Sequence, residues 1–265
     1  MGESKLNGLV RAADAYEALF VPALFEQWAP QVVDAARIRP GQTVLDVACG
    51  TGILARAALA RVGSGGRVTG IDPGPGMLAV ARRLAPAVTW HEGLAESLPF
   101  ASHSFDAVVS QFGLMFFSDR PQALREMVRV RAPDGCLAVA VWDSLARIPA
   151  YAAVVDLLEQ TAGRAAADAL RAPFVLGDPQ ALRDLFAAAG IASTQITTLA
   201  GTGRFPSVRT MVEADLRGWL PIAGVELTEE LIGNVLAQAE RTLAPFAQPD
   251  GRVVFDLSAH LITAH

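Results

Sequence analysis

The chain has 265 residues, 27 acidic against 22 basic side chains and a formal net charge of −5, with no dense basic stretch, which argues against a nucleic-acid phosphate backbone as partner. Arg82-Arg83 and the Arg125, Arg129, Arg131 group read as solvated helix faces. Hydrophobic residues make up 52% and charged residues 18%, which suits a well-filled core, and no apolar run reaches the ~20 residues of a membrane span.

The start, Met1-Gly2-Glu3-Ser4-Lys5-Leu6, has no signal-peptide layout, and position 6 lacks the Ser or Thr of a myristoylation signal. With two cysteines, Cys49 and Cys136, expected as buried small residues without a disulfide, this points to a cytoplasmic chain. A helical region is expected over 9–38, interrupted where Pro22 and Pro30 fall. Strands are expected over 43–48, 67–71, 87–92, 105–110 and 136–142, and helices over 52–62, 75–84 and 121–131, with Pro86, Pro99, Pro121 and Pro133 at or near the joints. Alternation of this kind implies a parallel sheet with right-handed crossovers. Past residue 143 the texture changes: helical stretches over 150–172 and 179–189, the latter stopped by Gly190, a strand over 191–199, two helices within 207–243 and a last strand over 253–261. We read one domain: a helical cap over 1–40, a cofactor-binding core over 41–143, helical insertions over 144–178 and 203–250 that form a lid, and the last strand within 251–265.

The most telling stretch is Val44-Leu45-Asp46-Val47-Ala48-Cys49-Gly50-Thr51-Gly52, an apolar strand tipped by an acid, then a small-residue turn into the helix beginning at Ile53. Glycines let the backbone approach a ligand, and the free N–H groups of the first helical turn face it. Asp72 ends the next apolar run, where a carboxylate can accept from both hydroxyls of a ribose. Read from Gly50, the turn fits the dinucleotide pattern Gly-x-Gly-x-x-Ala, with Asp72 at about the expected ~20-residue distance. Read from Asp46, it is Asp-x-Ala-x-Gly-x-Gly, which resembles the first motif of class I methyltransferases that use S-adenosyl-L-methionine. A plain structural turn is the third reading.

The downstream sequence favours the methyltransferases. Gly93-Leu94-Ala95-Glu96-Ser97-Leu98-Pro99-Phe100, then Ser104-Phe105-Asp106-Ala107-Val108-Val109-Ser110, resembles the segment before and along their fourth strand. Ala132-Pro133-Asp134-Gly135-Cys136-Leu137 resembles, with changes at several positions, the turn leading into their fifth. The resemblance covers about residues 15–143, on the small-molecule side that includes the ubiquinone and menaquinone methyltransferases, and is looser beyond. It implies an α/β, Rossmann-like, mostly parallel seven-stranded sheet with the last strand antiparallel between the fifth and sixth, helices on both faces and helical lid insertions. It implies S-adenosyl-L-methionine as cofactor, with Asp46, Ala48, Gly50 and Gly52 around the methionyl and ribose part and Asp72 on the ribose. Pro73 and Met77 would pack on the adenine, Leu94 and Ala95 would lie along its edge, and Gln111 and Phe112 would face the sulfonium and the acceptor.

The acceptor reads as a small molecule, largely apolar or aromatic, because the candidate walls are Tyr16, Phe20, Phe25 and Trp28 near the start, Met115, Phe116 and Phe117 after the fourth strand, Trp142 and Tyr151 after the fifth, and Phe205, Trp219 and Leu220 later. An activated methyl donor needs little more than a nucleophile held in line, though a hydroxyl acceptor would need a base. No histidine is assigned that role: His91-Glu92 does not complete a zinc-protease pattern, His103 lies in a polar turn, and His260 could face either side of the last strand. No metal spacing is present. One departure stands out. Many relatives carry an acid where this chain has Leu94, so the adenine amine would need another partner such as Glu96, and non-methylating chemistry on the same fold, such as cyclisation, stays open. The acceptor atom and the choice between monomer and homodimer are not encoded in any pattern of the sequence.

Overall fold

The computed structural model describes residues 3–264. The chain enters through α1 (Glu3–Phe20), passes a π turn at Val21–Phe25 and a 3-10 turn at Glu26–Trp28, and continues in α2 (Ala29–Ala35). Pro22 and Pro30 each stand in the first turn of a new segment, where their missing N–H costs nothing. Val44, Leu45 and Val47 are fully buried, the mark of a strand covered on both faces, and form β1 (Thr43–Val47). There follow α3 (Ile53–Val62), β2 (Arg67–Asp72), α4 (Pro75–Leu84), β3 (Thr89–Glu92), β4 (Phe105–Gln111), α5 (Arg120–Val130) and β5 (Arg131–Trp142).

After β5 come α6 (Pro149–Thr161), α7 (Arg164–Arg171) and α8 (Pro179–Ala188), then β6 (Gln195–Phe205). Next are α9 (Val208–Ala214), a second π turn at Asp215–Trp219, the short α10 (Leu220–Ile222), α11 (Glu229–Thr242) and β7 (Val253–Ala264). The seven strands make one sheet in the order β3-β2-β1-β4-β5-β7-β6. The first five pair in parallel, and β7 inserts antiparallel between β5 and β6. The strand order reverses between β1 and β4, which opens a crevice at their carboxyl ends.

Two strands differ from their expected spans. β5 begins at Arg131 rather than 136: Arg131 pairs with Phe105, but Cys136 pairs with Ala107, so the segment containing Pro133 bulges out of the ladder. β6 runs over 195–205 rather than 191–199, because its register with β7 continues from Gln195 to Phe205. The alanine-rich stretch 150–172 is two helices, parted where Gly163 takes φ +88°. His260 on β7 faces inward. It is hydrogen-bonded to Thr198 Oγ1 at 2.9 Å on β6 and to the Gly177 carbonyl at 3.0 Å. Among the described residues no helix is long and apolar enough to cross a membrane, and Cys49 and Cys136 are free and buried.

Candidate cofactor turn and acceptor cavity

Ala48, the residue after β1, takes a left-handed backbone at φ +57°, and Gly50 and Gly52 follow at +54° and +89°. Their roles differ. A Cβ added at Gly52 would lie 2.5 Å from the Trp90 ring, so this glycine lets the turn sit against β3. A Cβ added at Gly50 would meet nothing within 4 Å, so the cradle in front of it is open. Beyond β4 the left-handed backbone recurs at Phe112, φ +56°, and a Cβ on Gly113 would come within 2.6 Å of Ala48 Cβ. The ends of β1 and β4 therefore touch.

Asp46 is 1% exposed, and neither carboxylate oxygen has a hydrogen-bond partner among the described residues. Burial pushes its carboxyl well above the ordinary carboxylate range; the Ala55 amide opposes this without reaching hydrogen-bond geometry, and the Asp72 charge adds to the rise. Thr51 Oγ1 in the turn is likewise buried and unpartnered, as is Ser110 Oγ, next to the Val109 that pairs with Asp46. Buried polar groups in native proteins are satisfied, so a cluster of orphans beside an open cradle is an environment that a polar ligand or ordered water would complete. A buried carboxyl whose ionised form is disfavoured by its apolar setting is suited to a cationic partner, which stabilises that form.

Asp72 is also buried, but both of its oxygens are engaged. Oδ2 accepts from the Gly50 N–H at 2.9 Å and Oδ1 from the Gly74 N–H at 2.7 Å. Burial raises its carboxyl, and those two amides pull it back. Asp72 thus holds the glycine turn in place, and each oxygen keeps a lone pair for a ligand. Pro73 after it is exposed, and Met77, half-buried in the first turn of α4, packs beside Gly74. Ala95 is buried, whereas Leu94 is 57% exposed at the same end of the sheet. Glu96 is engaged through one oxygen: Oε1 accepts from the Ser118 and Asp119 amides at 2.8 and 3.3 Å, ahead of α5.

Gln111 Nε2 donates to the Phe25 carbonyl at 3.1 Å, tying the end of β4 to the N-terminal π turn, while Oε1 is buried without a partner. Phe112 stacks on Trp142 with ring centroids 3.7 Å apart and planes 9° apart. These two rings form one wall of a cavity of about 440 Å³. Tyr16, Phe20, Phe25, Phe116, Tyr151, Phe174 and Trp219 line the rest, with Leu170, Thr210, Asp215, Arg217 and others. Tyr16 joins cavity and turn: its hydroxyl is pushed up first by burial and then by the nearby Asp72 charge.

Trp28 and Met115 do not line the cavity and are corrected to core residues. Trp28 is buried behind the wall, edge-on to Phe112 and Trp142 at 6.1 and 5.9 Å, because β6 passes so close that a Cβ on Gly201 would strike its ring. Met115 is buried in the 3-10 turn at Leu114–Phe116, whose exposed Phe116 faces the cavity instead. Phe205 and Leu220 are core as well. Asp215, Leu170 and Phe174 were missed from sequence. The one usable signal was an acid on the apolar stripe Met211, Asp215, Trp219 of a helical stretch.

Residues 45–139 match the family model described as a methyltransferase domain. This segment resembles the class I S-adenosylmethionine-dependent methyltransferases of the ubiquinone and menaquinone type. The 2-phytyl-1,4-naphtoquinone methyltransferase of Thermosynechococcus vestitus is 40% identical over 119 residues, 44% of this chain and 53% of that one. The demethylmenaquinone methyltransferase of Chlorobaculum parvum is 48% identical over 93 residues, 35% of this chain and 38% of that one. The chain thus spans about half, or less, of the length of these curated relatives. The YcgJ protein of Bacillus subtilis superposes with a TM-score of 0.60 at 20% identity, covering 89% of this chain and 97% of that one, which shows the shared fold. The methyltransferase match ends at residue 139, so Trp142, Tyr151, Asp215 and Trp219 lie outside it.

Proposed function

We propose that the chain binds S-adenosyl-L-methionine at the β1–α3 turn and catalyses methyl transfer to a small, largely apolar, aromatic acceptor seated in the adjoining cavity. The observation that carries this reading is Asp46, a buried carboxylate without a partner, beside a glycine whose added Cβ would fall in open space. S-adenosyl-L-methionine, when bound, supplies a methyl group already activated on a sulfonium. Asp46 would pair with its ammonium. Asp72 would add ribose hydroxyls to the two amides it already holds, with Met77 and Pro73 against the adenine and Ala95 and Leu94 at its edge. Phe112, which lines the cavity next to the Gly113 that packs on Ala48, would stand between donor and acceptor.

The chain's own contribution to the chemistry is placement. Tyr16, Phe25, Phe112 and Trp142 would hold a flat apolar acceptor against the donor for direct displacement. Segments 144–178 and 203–250 would close over it as a lid and exclude water. Among the described residues no histidine lines the cavity. The quinone-type acceptors of the curated relatives fit the aromatic lining, and a cytoplasmic setting with both cysteines reduced belongs to the same reading. The test is incubation of the protein with S-adenosyl-L-methionine and a panel of hydroquinones, phenols and polyketides, followed by mass spectrometry. Methylated product together with S-adenosylhomocysteine supports the reading. If S-adenosylhomocysteine stabilises the protein but no panel member is methylated, the acceptor class is wrong; if NAD stabilises it and S-adenosylhomocysteine does not, the donor is wrong.

A further inference from the structure

Resting on the methyl-transfer reading, we propose that Asp215 is the specificity-determining residue of the acceptor cavity, anchoring an apolar acceptor that carries a hydroxyl group. Asp215 is 2% exposed, lines the cavity, and its Oδ2 is buried without a hydrogen-bond partner among the described residues. The cavity is otherwise walled chiefly by aromatic and aliphatic groups. Its cation, Arg217, is already committed, bridging Glu229 at 2.6 Å and Glu213 at 3.0 Å, and does not neutralise Asp215. A buried acid with nothing to bond to costs stability, and a ligand that satisfies it recovers that cost.

The backbone marks the same place. Asp215–Trp219 is a π turn, and so is Val21–Phe25; both contribute cavity-lining residues, Leu24 and Phe25 from one and Asp215, Arg217, Gly218 and Trp219 from the other. Such turns re-aim side chains out of the regular helical stripe, and they recur at functional sites. Here the turn directs an acid to an apolar cavity.

A hydroxyl is the group that fits. Burial holds the Asp215 carboxyl well above the ordinary carboxylate range. A hydroxyl both donates and accepts and so complements either form, whereas a carbonyl or ether meets only the protonated acid. Tyr151 lines the same cavity, and its hydroxyl is raised first by burial and then by the Asp215 charge.

The test uses three probes of one shape, 2-naphthol, its methyl ether 2-methoxynaphthalene, and 1,4-naphthoquinone, bound to the full chain and followed by quenching of tryptophan fluorescence, since Trp142 and Trp219 line the cavity. The wild type is expected to bind 2-naphthol about tenfold more tightly than the ether or the quinone. Asp215→Leu, which removes the orphan acid at similar size, is expected to melt at a higher temperature and to bind naphthol and ether within about twofold of each other. Asp215→Ala gives the same loss of preference should the leucine variant fold poorly. Equal binding of naphthol and ether by the wild type, a preference that survives both variants, or tighter binding of the quinone would each overturn the proposal. Calorimetry with S-adenosylhomocysteine on the same proteins separates the two readings. Its binding by wild type and Asp215 variants alike, with no naphthol preference, defeats the anchor and leaves the donor site standing; its failure on the wild type defeats the donor site.

Discussion

Asp46 and Asp72 behave differently although both tip a strand. Asp72 is already held by two amides, so Asp72→Ala should weaken cofactor binding at least tenfold and also lower the melting temperature, because the Gly50 and Gly74 N–H groups lose their acceptor. Unchanged affinity in a folded variant, by calorimetric titration, would sink its ribose role. Asp46 has no such work in the free protein. Its carboxyl is raised above 3.8, so the native chain keeps a proton there that the unfolded chain has lost, and this group lowers stability as pH climbs from 3.8 towards the raised value. Pairing with an ammonium requires the ionised form. Binding of S-adenosylhomocysteine should therefore release a proton and tighten with rising pH until Asp46 is ionised unaided, and Asp46→Asn should abolish the proton release; calorimetry in buffers of different ionisation enthalpy reads it directly. At Leu94 the side chain is 57% exposed, so Leu94→Asp has no core contact to break. A new carboxylate near the adenine amine should tighten S-adenosyl-L-methionine a few-fold, offset in part by its own desolvation, with no gain for an analogue lacking the amine. Weaker binding of both would remove Leu94 from the adenine edge. These acids were legible in the sequence because each breaks an apolar run at a strand end. Asp215 was not, because an acid on a helix is ordinarily solvated, and only the packing around the π turn shows this one buried.

At the scale of elements, the strand–turn–helix unit makes the sharpest demand on sequence. Gly50→Ala puts a methyl group into open space at φ +54°, a strain of about 1 kcal/mol, so the variant should fold yet lose cofactor binding. Gly52→Ala drives a methyl group to 2.5 Å from the Trp90 ring and should lower the melting temperature far more. If Gly50→Ala binds S-adenosylhomocysteine like the wild type, the open cradle is not the ligand site. The parallel core was readable because buried strands are short apolar runs set off by glycine and proline. Other boundaries were not. The start of β5 hides behind a bulge, and β6 pairs with β7 at the sheet edge, where only Gly203 and Phe205 of its residues are buried, so it carries no clean alternation to read. Neither π turn leaves a periodic trace, since the shift from 3.6 residues per turn is confined to five residues in each.

At the scale of the molecule, the donor turn lies within the segment that matches the methyltransferase domain, while much of the cavity wall comes from α1 before it and from α6, α7 and the α9–α10 stretch after it. On the proposed reading, donor binding and acceptor choice fall to different parts of the chain, and the sequence pattern is specific only in the first of them. If the outer parts act as a lid, amides in 144–178 and 203–250 should exchange faster than those of the parallel strands in the free protein, and slow when S-adenosylhomocysteine and an apolar phenol bind together. Equal protection with and without ligand would make them a rigid layer. The central claim, that the turn beginning at Asp46 is a seat for S-adenosyl-L-methionine, is tested most directly by calorimetric titration of wild type and Asp46→Asn with S-adenosylhomocysteine. The account predicts saturable one-to-one binding by the wild type and at least tenfold weaker binding by an equally stable Asp46→Asn. No binding by the wild type, or equal affinity in the two proteins, would contradict it.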